Sequence, residues 1–146
     1  MAITATKALS EVRSECICND QPQSVGTVSL GDVIRQGDVM LVAIGSLPNG
    51  KPTSNRQLAP GTSQGSRHIL EGECELFTAA PEAVAAAIAR ANGASVPAAL
   101  LGPVFRTGEK CELTHPEHGN FLLPAGECFA TVYQRDFAEE VRRVAD

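Results

Sequence analysis

Tryptophan is absent, tyrosine occurs once, and aromatic residues make up only 4% of the 146-residue chain. Few large rings leave little area for each core position to bury, so any core must be assembled mainly from small and aliphatic side chains. Apolar runs approaching 18 residues are missing, which argues against a membrane-spanning helix. Clusters of lysine and arginine are missing too. The net charge is −5, and a surface for nucleic acid needs the opposite sign. The opening residues, MAITATKALSEV, lack the charged and apolar regions of a secretory signal. Walker and GxGxxG patterns do not occur, so the common phosphate-cradling loops are excluded. No CxxC pair occurs either, which removes the usual zinc-ribbon and thioredoxin spacings.

Among the residues present, the five cysteines are a high count for a chain of this size. Cys16, Cys18, Cys74, Cys111 and Cys128 read as buried free thiols, with disulfides as the alternative, in which an odd number leaves one thiol for a bridge between chains. Cys16 and Cys18 lie in a polar stretch and are the candidates for a disulfide between subunits, provided the setting is oxidising.

The periodicity predicts a mainly β domain: a small β-barrel or sandwich of about six to eight short strands. It carries one inserted α-helix (about 81–91), a short C-terminal helix and an extended N-terminal arm. Residues 1–32 form the arm, whose scarcity of apolar residues gives it little reason to order alone. Residues 33–146 form the domain, with 78–98 as a helical insertion. Val39 to Ile44 reads as a strand buried on both faces. Ser46 to Ser66 is rich in Pro, Gly, Ser and Asn and reads as a long exposed loop. RHIL and ECELF read as two short strands meeting at Glu71-Gly72. Pro81 starts the clearest helix and Gly93 stops it, with Val84, Ile88 and Ala91 at i, i+4 and i+7. Leu100 to Phe105 resumes a strand pattern around Gly102-Pro103.

The stretch Cys111 to Arg135 carries most of the chemistry. Cys111, Leu113 and His115 alternate with Glu112 and Thr114, PEHGN turns the chain, and a second turn follows at Pro124 to Gly126. Cys128, Ala130 and Val132 then face one way, with Phe129, Thr131 and Tyr133 facing the other. Asp136 and Glu139 make a capping-box pattern ahead of an apolar stripe of Phe137, Val141 and Val144.

His68, His115 and His118 are the only histidines, and all three adjoin predicted strand ends. Converging imidazoles would suit zinc or a similar divalent metal with an open fourth position. Against this, HxxH across a turn with Pro116 is not the helical HExxH arrangement. The alternative is a packed His115 and a solvated His118. Glu71, Glu73 and Glu75 read as a solvated face. Cys111 and His115 stand roughly 13 Å apart along a strand, too far for direct proton transfer.

RQGDVMLVAIGSLP, RHILEGE, LTHPEHGNFLLPAGECFATVYQRDF and EEVRRVAD together resemble a small all-β domain of bacterial and phage proteins. That domain reads RQGDVLL, a GHAH-like segment, HEEH, LPxGxY, QREY and RRVAD. The likeness covers roughly residues 35–146, with 78–98 as an added insert. It implies a fold and carries no activity. Where the pattern holds two histidines this chain has Ser66 and His68, which bears against shared metal chemistry.

The expected function is therefore non-enzymatic: a virion decoration, cement or linker subunit, homo-oligomeric and contacting capsid protein through its arm and loops. No cofactor, nucleic acid or membrane is expected. The alternatives are a cytoplasmic metal-binding domain or hydrolase using His68, His115 and His118, and a barrel binding a small molecule or peptide at loops 46–66 and 115–120.

Overall fold

The computed structural model describes residues 23–58, 68–115 and 119–134. Residues 1–22 of the arm with Cys16 and Cys18, residues 59–66 of the 46–66 loop, His118 and the C-terminal helix pattern lie outside the described residues.

The body is a curled, mainly β half-barrel with one helix, as the alternation predicts. Its strands are β1 (Gln23–Ser24), β2 (Val33–Gln36), β3 (Val39–Ala43), β4 (Gly50–Thr53), β5 (Ile69–Ala79), β6 (Leu101–Thr114), β7 (Phe121–Leu123) and β8 (Cys128–Tyr133). Helix α1 (Pro81–Asn92) and a single 3-10 turn (Ala98–Leu100) join β5 to β6. From residues 23–32, β1 pairs in parallel with β7 and Val28 is buried in the core.

β6 is the spine. One side of it pairs with β5 along nearly the whole length, and β5 pairs onward to β4. Its other side takes two partners in series, β7 against Cys111 to Leu113 and β8 against Leu101 to Arg106. Both run antiparallel to β6, so the turn at Pro124 to Gly126 interrupts a single course instead of reversing it. Thr107 holds that interruption. Its hydroxyl donates to the Pro124 carbonyl at 2.5 Å and accepts from the Glu127 amide at 3.0 Å. β8 continues to β3 and β3 to β2.

Three features read as breaks in the sequence lie within continuous structure. Glu71-Gly72 does not separate two strands. It is part of one strand, with a register shift against β6 between Gly72 and Cys74. Gly72 has φ 90°, and a Cβ there would overlap the Lys110 carbonyl oxygen, so glycine is required. Gly102-Pro103 marks a second register shift, between Leu101 and Val104, where a strand tolerates proline. The loop from residue 46 contains β4, an exposed edge strand with Pro52 in it, and Leu58, which is buried. Lysine and proline on such an edge discourage pairing with another chain.

Two cores flank the sheet. Ile34, Val39, Leu41, Leu70, Phe105, Leu113, Phe121 and Phe129 fill the concave side. Val42, Val104, Ala130 and Val132 meet Val84, Ala87 and Ile88 of α1 on the convex side. β3 and β8 are thus buried on both faces, as the apolar run at Val39 to Ile44 predicts. Pro81 occupies the first turn of α1, and Gly93, in the left-handed region at φ 76°, ends it with its N–H donating to the Ala89 carbonyl at 2.8 Å. Burying Val84 and Ile88 contributes about 1.5–3 kcal/mol each. The helix docks on its own sheet.

Tyr133, at the end of β8, closes one flank by donating its hydroxyl to the Leu58 carbonyl. A Cβ at Gly102 would collide with the Tyr133 ring, so the glycine clears its path. Burial pushes the phenol from 10.0 up to about 12. Folding therefore favours neutral Tyr133. Its contribution to stability is complete below pH about 10 and disappears as pH rises towards about 12. Because tyrosine occurs once and tryptophan not at all, phenolate absorbance reads this group alone. The midpoint should lie near 12 in native protein and return to about 10 in denaturant; a native midpoint at the denatured value would refute the buried contact.

Candidate functional site

The most concentrated buried polar chemistry sits where β2 ends, β5 starts and β6 ends. Gln36 closes β2 just before the Gly37-Asp38 turn and is fully buried, with His68 and His115 beside it at 2% and 4% exposure. The Gln36 amide nitrogen donates to the carbonyls of Leu113 at 3.1 Å and Gly119 at 2.7 Å. Two acceptors on the nitrogen fix the amide's orientation, so its oxygen faces His68 Nδ1 at 2.8 Å. That oxygen can only accept, so His68 Nδ1 carries a proton. The His68 and His115 rings lie 4.3 Å apart, tilted by 49°.

Backbone contacts hold both imidazoles. The His68 carbonyl accepts the Leu58 amide at 2.8 Å, fastening the segment after β4 along the start of β5. The His115 amide donates to Asn120 Oδ1 at 3.2 Å, bracing the β6–β7 connection. His115 occupies the buried face with Cys111 and Leu113, as the period-two pattern predicts.

Of the three histidines weighed as metal ligands, the structure brings His68 and His115 together, while His118 lies outside the described residues. Among the described residues, no group of three or more His, Cys, Asp or Glu side chains is placed to hold a metal ion. Glu71, Glu73 and Glu75 are exposed, in keeping with a solvated face.

Among the described residues, Cys74, Cys111 and Cys128 are free thiols, Cys111 and Cys128 buried and Cys74 half-buried. Burial, then the neighbouring Cys74, pushes the Cys111 thiol up to about 12. Cys111 therefore stays protonated near neutrality and is neither a nucleophile nor a ready metal ligand. Arg56 was not legible as a structural residue. Its Nη1 reaches the carbonyls of Leu70 at 3.2 Å and Gly72 at 2.9 Å, and Cys74 Sγ at 3.3 Å. Gln36 was missed as well, because the alternation around it reads equally well as the approach to a turn.

Replacing Gln36 by leucine keeps the volume and removes every polar contact of the amide, including the two buried bonds to His68 Nδ1 and the Leu113 carbonyl. Each unsatisfied buried group costs about 1–3 kcal/mol. Urea unfolding of Q36L should show a loss of at least about 2 kcal/mol, while E75Q on the exposed face stays within about 0.5 kcal/mol of wild type. Equal stability of Q36L and wild type would show that the amide does not hold this junction.

No curated protein and no solved structure matches the chain. A family model described as a domain of unknown function, DUF8820, matches residues 35–134. That stretch starts beside Gln36, takes in His68, His115 and Tyr133, and runs through α1. The chain belongs to the DUF8820 family.

Proposed function

We propose that this domain is a non-enzymatic structural module that acts by contact with other protein subunits, as a virion decoration, cement or linker subunit. The observation that carries the reading is the use made of the half-barrel's interior. Phe105, Phe121 and Phe129 fill it together with Leu41, Leu70 and Leu113, all at 1% exposure or less. Space that a ligand-binding barrel keeps open for its cargo is core here, which bears against the small-molecule reading. The buried amide of Gln36 serves closure of the sheet. Binding by such a body falls to its outer surfaces and its chain extensions, of which residues 1–22 are the longest. The setting in a phage particle rests on the sequence resemblance alone.

Sedimentation of the full chain, with and without reductant, tests this. Self-association should appear, and reductant or the double substitution C16S/C18S should shift it to smaller species. A chain that stays monomeric in every condition would count against the module.

A second reading is supported by the paired imidazoles. Gln36 fixes the Nδ1 proton of His68, the way an outer hydrogen-bond partner orients a metal-bound imidazole. Under this reading zinc or a similar divalent ion binds His68 and His115, with His118 as the third ligand proposed from sequence. Calorimetric titration of the full chain with zinc should give stoichiometric binding that H115A abolishes; absence of zinc uptake would end it.

A further inference from the structure

Helix α1 covers only part of the convex apolar face. Beyond its edge, β3 and β8 continue with Met40 and Val132, and the linker after α1 brings Val96 and Leu100 alongside. These side chains border an open groove of about 450 Å³, with Arg35 and Gln134 on its rim. Met40, Val96 and Leu100 remain half-exposed there.

The chain leaves the described body at that same rim. The Gln134 amide donates to the Asp38 carbonyl at 3.0 Å, and its side-chain nitrogen donates to the Gly37 carbonyl at 3.2 Å. Arg35 Nε donates to the same Gly37 carbonyl at 3.3 Å. Residues 135–146 therefore start beside the groove and beside a guanidinium. Their sequence, RDFAEEVRRVAD, places Phe137, Val141 and Val144 on one helical stripe and puts Asp136, Glu139 and Glu140 in the early turns, near Arg35. Twelve residues as a helix span about 18 Å, a length suited to lying beside α1.

We propose that residues 135–146 of the same chain dock over this groove as an amphipathic helix, completing a two-helix layer on the convex face. Phe137, Val141 and Val144 meet Met40, Leu100 and Val132, while Arg142 and Arg143 face water. Attachment at Gln134 keeps the segment at an effective concentration in the millimolar range, so a modest apolar stripe suffices to hold it there. The occupant is the chain's own segment because it is already tethered at the groove's rim.

Methionine occurs only twice, at Met1 and Met40, so the Met40 methyl resonance and its oxidation by peroxide report on the groove. In the full chain, V141D should move the Met40 methyl resonance and raise its oxidation rate several-fold. F137A should do the same to a lesser degree, and R143A, on the polar face, should leave both unchanged. Wild-type values in V141D and F137A would overturn the proposal. So would a wild-type resonance that drifts towards the V141D position on dilution, because that result assigns the groove to the tail of a second copy.

Discussion

A single buried amide closes the half-barrel. Gln36 lies at the far edge of the sheet, yet its contacts are with residues 32, 77 and 83 positions away in the chain. Among the described residues, strand pairing runs from β2 through β3 and β8 to β6, with β2 at the end of that path. The amide joins that end to the β6–β7 connection and to the start of β5. A buried carboxamide can do this because it donates twice and accepts through the same planar group. In a low-dielectric site, such a network is strong when every member is satisfied and costly when one is not.

The other constraint is the length of β6. Fourteen residues in one strand exceed what either neighbour on its second side can cover, so β7 and β8 share it end to end. Thr107 marks the junction, and its paired contacts to Pro124 and Glu127 keep the two short strands collinear. From this arrangement follow the two cores. Residues alternate across β3, β8 and the first half of β6, one set entering the concave core and the other meeting α1. Scarce aromatics are concentrated where they matter: Phe105, Phe121 and Phe129 all line the concave side, with the Phe105 and Phe129 rings 5.5 Å apart.

The two closures use unlike chemistry. Tyr133 reaches the Leu58 carbonyl through a phenol that burial keeps neutral. The Gln36 junction uses an amide and two imidazoles. Both draw in the segment that follows β4, through Leu58, whose carbonyl meets Tyr133 and whose amide meets the His68 carbonyl. One residue of a loop that reads as solvent-exposed thus takes part in both closures. The family match, residues 35–134, encloses both closures.

Period-two alternation at Cys111 to His115 and at Cys128 to Tyr133, the apolar run at Val39 to Ile44, and the Pro81 and Gly93 boundaries of α1 were all readable from the chain. Each depends on local spacing and intrinsic conformational preference. The bulge at Gly72, the continuity of β6 through Gly102-Pro103, and the edge strand inside the 46–58 segment were not, because a glycine or proline looks alike in a turn and in a register shift. Nor could spacing reveal that Gln36 would sit between His68 and the β6–β7 connection. Sequence alone decided which faces are apolar and where the helix lies, since those are properties of neighbouring residues. Tertiary structure decided which polar side chains are buried together, since that depends on how a curled sheet brings its distant edges within hydrogen-bonding reach.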